Sequence, residues 1–285
     1  MWLADQWEDY ELLDAGDGLK LERWGKFIVR RPDPQAIWPA SPVLRAPNNL
    51  DADYHRQGGG GQWETLSPLP EKWAVAYRGL RFHVGLMGFK HTGLFPEQAV
   101  NWDWMSSQIQ AAQGEVEVLN LFAYTGGATA ACARAGAKVV HVDAARGMVQ
   151  WAKENMELSG MQNAPVRFII DDCMKFVLRE QRRGRRYRAI VMDPPSYGRG
   201  PDGEMWKIEE QLWELVSACV ALLDDPVFFL INSYTTGLQP GVLRNILHLT
   251  LQKKWGGKVE ADEIGLPMQS GMALPCGASG RWRPE

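Results

Sequence analysis

The sequence has few cysteines and histidines, and neither type is spaced like a disulfide framework or a metal site. Five histidines are present without an H-x-x-x-H pair, so a metal site is not indicated. The cysteines form no C-x-x-C pair, which disfavours both a disulfide framework and a zinc site. Such cysteine usage is typical of a reducing cytoplasm. The cysteines are Cys132, Cys173, Cys219 and Cys276.

The chain also lacks a long apolar run and a strong net charge. No run approaches the roughly 20 apolar residues needed to cross a bilayer, and the acidic stretch MWLADQWEDYELLD has no signal-peptide core. We therefore expect a cytoplasmic protein without a membrane partner. The formal net charge of −3 excludes a global basic field that would attract nucleic acid, and it leaves a local basic patch open.

The length of 285 residues favours one large and one small domain over a single unit. The pattern changes near residue 105. Before this point, short apolar runs alternate with turn residues, and the stretch KLERWGKFIVRRPDP predicts a β-hairpin. We therefore predict a β-rich N-terminal domain over residues 1–105 and a second domain over residues 106–285.

Eight of the thirteen tryptophans lie in this N-terminal part. Such rings serve either as stacking platforms for nucleobases or as the large side chains with which a small β domain builds its core. Basic residues are not regularly interleaved with the rings, which favours the core interpretation. The residues are Trp2, Trp7, Trp24, Trp38, Trp63, Trp73, Trp102 and Trp104.

After residue 105, strand-like and helix-like segments alternate. The strand-like segments are rich in β-branched residues, which predicts a mostly parallel sheet with helices on both faces. With two closing strands added, the expected fold is α/β, a Rossmann-like sheet of seven strands. Ligands of such sheets bind outside the carboxyl ends of the strands. The predicted strands are EVEVLNLFAY, AKVVHVD, PVRFIID, YRAIVMD, VFFLINS, KVEADEIGLP and GMALPCGASGRW.

The first strand of this alternation ends in a glycine turn. Thr125, Gly126 and Gly127 lead into a helix whose N-terminal N–H groups can hold an anion. The G-x-G-x-x-G spacing of a dinucleotide site is missing, because no further glycine follows Gly127 at that spacing. The turn therefore suits a smaller anion such as an amino-acid carboxylate, or it is a plain strand-to-helix turn.

Acidic residues follow each of the next three strands. Asp143 can accept hydrogen bonds from the hydroxyls of a ribose or cap the next helix. Of Asp171 and Asp172, one can accept from an adenine amino group while the other caps a helix. Capping does not explain Asp193, because the two prolines after it prevent immediate entry into a helix. Taken together, the strand ends favour a ligand site.

The motifs NLFAYTGG, HVDAA, IIDDC and MDPPSY resemble those of class I S-adenosylmethionine-dependent methyltransferases, and most closely the branch of bacterial 23S ribosomal RNA large-subunit methyltransferases. HTGLFPEQAVNW is similar to the segment with which that branch closes over the cofactor. The resemblance implies S-adenosylmethionine as cofactor, with Asp143 on its ribose and Asp172 near its adenine. The implied cofactor-binding residues are Gln98, Phe122, Thr125, Gly126, Gly127, Asp143, Asp172, Cys173 and Asp193.

The turn at Asp193 has a chemical interpretation in such an enzyme. A planar amino nitrogen is a poor nucleophile, and Asp193 with the Pro194 carbonyl can accept its two N–H bonds, which aligns the lone pair with the sulfonium methyl group. Tyr197 either stacks on the base or packs within the loop. Where cytosine-5 members of the family carry a nucleophilic cysteine, this chain has Ser196 and Ser233, which favours nitrogen as the acceptor.

We therefore predict an S-adenosylmethionine-dependent methyltransferase that N-methylates a base in RNA, with ribosomal RNA favoured, by direct transfer. The alternatives are a protein or small-molecule N-methyltransferase, a dinucleotide-binding oxidoreductase, and a catalytically silent cofactor-binding partner protein. The six arginines between Arg179 and Arg188 form either an RNA phosphate patch or, as favoured, a solvated helix end. The sequence leaves the oligomeric state open.

Overall fold

The computed structural model describes residues 1–58, 60–199, 203 and 205–285, which form two compact units. The first unit comprises Met1–Val100 and Ile264–Cys276, and the second comprises Asn101–Glu263 and Gly277–Glu285. The domain boundary expected between residues 105 and 106 remains a sequence-based prediction.

The first unit contains the predicted β-rich N-terminal region. Its elements are β1 (Trp2–Leu3), β2 (Tyr10–Gly16), β3 (Leu19–Trp24), β4 (Phe27–Pro32), α1 (Pro42–Arg45), β5 (Ala52–Gln57), β6 (Gly60–Thr65), β7 (Trp73–Tyr77), β8 (Leu80–Val84) and two 3-10 helices, Gly88–Lys90 and Pro96–Gln98. A five-stranded sheet has the order β2-β3-β4-β5-β6, and β7 pairs with β8. The predicted hairpin is β3 with β4, which turns at Gly25 with a φ of 62°.

Tryptophans of the first unit are bonded to its backbone or buried in its core. The Trp24 side chain is fully buried, and Tyr10 packs edge-on against it with ring centroids 4.5 Å apart. Four other indole N–H groups donate to backbone carbonyls of the same unit over 2.6–3.0 Å, which ties these rings to the unit. Burial therefore supports the core interpretation for Trp24, while Trp7, Trp38, Trp63 and Trp73 are half-buried rings bonded to the backbone of this unit.

The second unit alternates strands and helices as predicted. Its elements are α2 (Ala99–Ala111), β9 (Glu117–Leu121), α3 (Gly127–Arg134), β10 (Lys138–Asp143), α4 (Arg146–Leu158), β11 (Val166–Ile170), α5 (Cys173–Arg182), β12 (Tyr187–Met192), β13 (Tyr197–Arg199), β14 (Met205–Lys207), α6 (Ile208–Val220), β15 (Leu223–Ser233), α7 (Pro240–Leu247), a π-helical turn (His248–Gln252), α8 (Lys253–Trp255), β16 (Lys258–Pro267) and β17 (Ala273–Arg283). Residues 99–100, which begin α2, and residues 264–276, which end β16 and begin β17, belong to the first unit.

The large sheet confirms the predicted seven-stranded Rossmann-like fold. Its order is β16-β17-β15-β12-β9-β10-β11, and the short β1 adds an eighth strand by pairing Trp2 with Ile264. The five strands from β15 to β11 in this order are parallel, and β17 is antiparallel to β15. The chain leaves β9 toward β10 on one side and returns at β12 on the other. This reversal creates a crevice at the carboxyl ends of β9 and β12, the place where such sheets bind ligands.

Helices pack against the sheet and fix the strand ends. The main hydrophobic cluster joins buried strand residues such as Phe229 with Phe176 of α5, Leu215 of α6 and Leu243 of α7. Burial of each such side chain contributes about 1.5–3 kcal/mol, so the cluster holds the strands firmly under the loops that follow them. Among the described residues, no helix has the length and hydropathy to span a membrane.

The helix-like segment EMWKIEEQLWELVSACVALL predicts a helix over residues 204–223, and this prediction is wrong at both ends. Residue 204 lies outside the described residues, and Met205–Lys207 form β14, which pairs with β13. The helix α6 begins at Ile208, and β15 already begins at Leu223. The Trp206 ring is buried and its N–H donates to the Pro195 carbonyl over 2.6 Å. This tertiary contact holds the segment extended and overrides its local helical pattern.

Candidate active site

The loop that follows β9 has an unusual backbone. Phe122, Tyr124 and Gly126 have φ angles of 55°, 49° and 85°. Left-handed backbone is uncommon for residues other than glycine, and it clusters at functional sites where surrounding contacts maintain it. Two such contacts are side-chain acceptors: the Phe122 N–H donates to Cys173 Sγ over 3.4 Å, and the Tyr124 N–H donates to Asp143 Oδ2 over 2.8 Å. The loop shape therefore depends on the end of β10 and the start of α5.

Asp143 ends β10 and points its carboxylate at backbone donors. Besides Tyr124, the N–H of Ala145 donates to Asp143 Oδ1 over 2.9 Å. Asp143 is not the N-cap of α4, because that position is occupied by Ala145. Burial raises the pKa of Asp143, and the two backbone donors oppose that rise. A carboxylate offers about four acceptor positions, so these bonds are compatible with the predicted contact to ribose hydroxyls.

The two glycines of the turn are required by protein packing. Gly126 is the N-cap of α3, and a Cβ atom on it would lie 2.9 Å from the Cβ of Ala152. A Cβ on Gly127 would lie 2.5 Å from Cζ2 of Trp102. The glycines therefore let α3 approach α4 and α2 closely. Thr125 is buried, and whether these residues surround a methionine moiety remains a prediction.

The acids after β11 have structural partners. Asp172 caps α5 by accepting the N–H of Lys175 over 2.9 Å, which is the capping alternative of the sequence analysis. Asp171 forms an ion pair with Arg179. The thiol of Cys173 is buried, which raises its pKa well above the usual value. The predicted contacts of Asp172 and Cys173 with adenine stay predictions.

Asp193 follows β12 at the other side of the crevice. Its N–H donates to the carbonyl of Leu121, the last residue of β9, over 3.4 Å. Its Oδ1 accepts a hydrogen bond of 2.9 Å from the side-chain amide of Asn232 on β15. Pro194 is buried beside it. The second unit therefore gathers the ends of β9, β10, β12 and β15 in one place, as the sequence predicts for the first three.

The loop after Asp193 is held from two sides. The Pro195 carbonyl accepts the indole N–H of Trp206, and the Phe122 ring lies 5.1 Å from the Trp206 ring. The hydroxyl of Ser196 bonds that of Thr235 over 2.6 Å. These contacts fix the loop relative to the turn after β9 and to the chain beyond β15.

Two predicted residues have less constrained positions. Tyr197 begins β13 and is 52% exposed, with its hydroxyl donating to Met205 Sδ over 3.1 Å. Its ring is therefore outside the hydrophobic core, and stacking on a base remains a prediction. Gln98 ends the 3-10 helix Pro96–Gln98 in the first unit and is half-buried. Its role as a cofactor contact likewise remains a prediction.

Asn232 is a site residue that the sequence analysis does not single out. Its side chain is fully buried, and its amide donates directly to Asp193. The signal present in the sequence is an amide at the end of the apolar run VFFLIN, beside the predicted ligand edge. A buried amide in a central strand needs hydrogen-bond partners, and that need points to a neighbouring polar site.

The cysteines have none of the features of a nucleophile. All four thiols are buried. Burial raises the pKa of Cys132 to about 12, and it raises the pKa of Cys219 and of Cys276 further above the neutral range. The reactive form of a cysteine is the thiolate. These residues are therefore protonated at neutral pH, which agrees with the predicted transfer without a covalent adduct.

The arginine run Arg179–Arg188 lies where α5 ends and β12 begins, away from Asp193. Arg185 pairs with Glu117 over 2.6 Å, and Arg188 pairs with Asp225 over 2.6 Å. Arg188 also donates to three backbone carbonyls. These cations bind acceptors of their own unit, which supports the favoured interpretation as a helix end.

Residues 38–227 match the family model of S-adenosylmethionine-dependent methyltransferases. Among curated proteins, the ribosomal RNA large subunit methyltransferase K/L of Shewanella frigidimarina is 31% identical over 170 residues, which cover 59% of this chain and 23% of that protein. The chain thus spans about a quarter of the length of the curated relatives that it matches.

Solved structures show the same similarity over the whole chain. A SAM-dependent methyltransferase from Agrobacterium tumefaciens has a TM-score of 0.94 and 35% identity, and the match covers 100% of this chain and 93% of that one. A methyltransferase solved in complex with SAH has a TM-score of 0.71 and 18% identity, over 98% of this chain and 76% of that one, which is a similarity of fold.

Proposed function

The chain belongs to the S-adenosylmethionine-dependent methyltransferases, and from this premise we propose that it transfers the methyl group to a nitrogen of a base in RNA, with ribosomal RNA as the favoured substrate. Family membership makes the chain an enzyme with S-adenosylmethionine as its cofactor. The acceptor is the proposal, and the observation that carries it is the carboxylate of Asp193, held beside the crevice by Asn232.

The residues at the crevice have the chemistry that this cofactor requires. Asp143 is a half-buried acceptor suited to ribose hydroxyls, and the half-buried Phe122 is an apolar side chain suited to adenine, with Cys173 as a further proposed contact. The N-terminal N–H groups of α3 suit the carboxylate of the methionine part. We assign the cofactor to this crevice, with Gln98 and Asp172 as further proposed contacts. When bound, the cofactor supplies an electrophilic sulfonium methyl group.

Asp193 and Pro194 would position the acceptor. The side-chain carboxylate and the proline carbonyl can each accept one N–H of a planar amino group, which directs the nitrogen lone pair out of conjugation and toward the methyl group. Positive charge develops on the nitrogen during attack, and the carboxylate stabilises it. The exposed ring of Tyr197 would stack on the base. With buried, protonated thiols, the chain offers no covalent route to a pyrimidine carbon.

The choice of RNA rests on the named relatives. The matching curated proteins are ribosomal RNA large subunit methyltransferases, at 31–34% identity. Because this chain spans only part of their length, its own substrate is proposed by analogy of the shared catalytic region. A protein or a small molecule as acceptor is the competing outcome that an experiment has to separate.

The test is transfer of a radiolabelled methyl group by the purified protein to RNA, protein and small-molecule fractions of a cell extract. We expect label in RNA, and nuclease digestion should release an N-methylated nucleoside. Asp193→Asn, which keeps the size of the side chain and removes its charge, should give no label. Label in protein or small molecules, or on a carbon or ribose oxygen, would contradict the proposal.

A further inference from the structure

A chain of buried polar side chains leads to Asp193 through the second unit. Arg281 Nη2 and Nε donate to Asn101 Oδ1 over 2.7 and 3.1 Å, and Asn101 Nδ2 donates to Ser279 Oγ over 2.9 Å. Ser279 Oγ donates to Asn232 Oδ1 over 2.6 Å, and Asn232 Nδ2 donates to Asp193 Oδ1 over 2.9 Å. Three side chains thus connect the Arg281 cation to the proposed catalytic carboxylate.

The direction of every bond in this chain follows from its first member. A guanidinium has only donors, so the oxygen of Asn101 must face Arg281 and its NH₂ group must face Ser279. The Ser279 hydroxyl has one hydrogen, which it therefore gives to the oxygen of Asn232. The NH₂ group of Asn232 then faces Asp193. The chain presents a donor, and never an acceptor, to the Asp193 carboxylate.

The fold holds these residues in register. Asn232 on β15 and Ser279 on β17 are directly paired across the two antiparallel strands. Arg281 is two residues beyond Ser279, on the same face of β17. On α2, Asn101 and Trp104 are three residues apart and share a helix face. Asn101 bonds Arg281, while the Trp104 ring lies 5.2 Å from the guanidinium carbon.

Burial strongly favours every bond of this hydrogen-bond chain. Asn101, Ser279 and Asn232 are fully buried, and Arg281 is 7% exposed. A buried polar group without its partner costs about 1–3 kcal/mol, so each member is strongly biased to keep its bond. Burial lowers the pKa of Arg281 to about 10, which leaves the guanidinium charged at neutral pH. Apolar side chains could fill these four positions without any need for hydrogen-bond partners. The Asp193 carboxylate at the end of the hydrogen-bond chain explains why polar side chains occupy them.

We propose that Arg281, Asn101, Ser279 and Asn232 are positioning residues that fix the orientation of the Asp193 carboxylate for the methyl acceptor. The inference rests on the role given to Asp193 in the proposed function. None of the four needs to touch the acceptor, because each acts through the next. A carboxylate held at one oxygen by a rigid donor cannot rotate freely about its side-chain bonds, and misplacement of a catalytic group by about 1 Å can cost a hundredfold in rate.

The first test compares two variants that each remove one buried hydroxyl. Ser279→Ala breaks the chain, and Tyr187→Phe breaks the bond from Tyr187 to Glu180 at the start of β12, away from Asp193. We expect similar losses of unfolding temperature in both. Ser279→Ala should lower kcat about ten- to a hundredfold while KM for RNA and the cofactor Kd change less than about threefold. Tyr187→Phe should leave kcat within about threefold. Equal kcat in the two variants would overturn the inference.

The second test concerns Arg281, the first donor of the hydrogen-bond chain. Arg281→Met removes the donors that set its direction, and Arg281→Lys keeps a donor-only cation. We expect Arg281→Met to lower kcat as much as Ser279→Ala does. Arg281→Lys should have a kcat between those of Arg281→Met and the parent, at the same cofactor Kd. If the lysine variant is no more active than the methionine variant at equal thermal stability, the directional chain is wrong.

A third measurement does not depend on methyl transfer. With carbon-13 in the aspartate carboxyl groups, the resonance of Asp193 can be assigned from its absence in Asp193→Asn. We expect it to shift in Ser279→Ala and in Arg281→Met and to stay in place in Tyr187→Phe. An unmoved resonance would overturn the inference even if RNA is methylated. Conversely, a shifted resonance with no label in RNA would support the positioning role of the hydrogen-bond chain and reject RNA as the methyl acceptor.

Discussion

The backbone N–H of Tyr124 donates to the carboxylate of Asp143 over 2.8 Å, so the acid that ends β10 shapes the loop that follows β9. This bond joins the ends of two neighbouring strands on the proposed cofactor side of the crevice. The same carboxylate also receives the N–H of Ala145. Asp143 therefore has a structural function whether or not it binds a ribose, and any substitution there has to be judged by both effects.

Asp143→Ala should weaken binding of S-adenosylmethionine. Losing a hydrogen-bonded charged acceptor costs about 1.5–3 kcal/mol, or roughly ten- to a hundredfold in Kd. Calorimetric titration of the variant and the parent measures this directly. Tyr187→Phe, which removes a buried hydrogen bond at the opposite end of β12, serves as a comparison for a general loss of stability. Equal affinities of Asp143→Ala and the parent would remove Asp143 from the site.

Asp193→Ala should abolish methyl transfer and leave the Kd for S-adenosylmethionine within about threefold. The reason is that Asp193 is assigned to the acceptor and not to the cofactor. The variant should fold, because Asp193 lies beyond the last core residue of β12, with a stability lowered by about 1–3 kcal/mol since the buried Asn232 amide loses its acceptor. Calorimetry and a labelling assay on the same preparation check both halves. If affinity and turnover fall together, Asp193 is a cofactor ligand or a structural residue.

A variant with all four cysteines changed to serine or alanine should keep turnover within about tenfold, since the loss is one of packing. The thiols are buried and protonated, so none can form an adduct with a pyrimidine. RNA containing 5-fluorocytosine should give no complex that survives denaturation. A trapped protein–RNA complex that disappears when one cysteine is replaced would restore carbon-5 methylation as the reaction.

His141 should make the second unit less stable in mild acid. It is fully buried on β10, its Nδ1 lies 2.9 Å from the Thr129 hydroxyl, and burial lowers its pKa from 6.5 to about 3. Below pH 6.5, His141 therefore binds a proton in the unfolded protein but not in the folded protein. The free energy of unfolding falls as the pH drops from 6.5 toward 3.

The expected loss from His141 between pH 6.5 and pH 5 is about 2 kcal/mol, since one pKa unit corresponds to about 1.4 kcal/mol. Urea unfolding at several pH values measures this slope. His141→Gln should lower stability at neutral pH but flatten the slope below pH 6.5. An unchanged slope in the variant would mean that the imidazole accepts its proton in the folded state.

The sequence predicts the sheet well because its strands and helices carry local patterns. Strands such as YRAIVMD and VFFLINS are β-branched and bounded by turns, and they form β12 and β15. The prediction is wrong for the segment around Trp206, because the conformation of that segment depends on a hydrogen bond to Pro195, eleven positions earlier. The acid at position 193 is visible in the sequence because proline follows it.

The partners of Asp193 are invisible for a physical reason. Asn232, Ser279 and Asn101 come together only through sheet pairing and helix packing, and Asn101 and Ser279 are 178 positions apart. No local pattern carries such a contact. The glycine turn illustrates the opposite case: the sequence indicates Gly126 and Gly127, but the neighbours that require glycine, Ala152 and Trp102, are known only from the packed structure.

The antiparallel strand β17 carries both Ser279 and Arg281 and pairs with β15 beside β12. The cofactor half of the crevice, at β9, β10 and β11, lies on the other side of the sheet centre. Loss of the contacts of Ser279 and Arg281 would therefore free the Asp193 carboxylate without breaking any bond that shapes the loop after β9. Methyl transfer therefore requires order in a strand that contributes none of the proposed cofactor contacts.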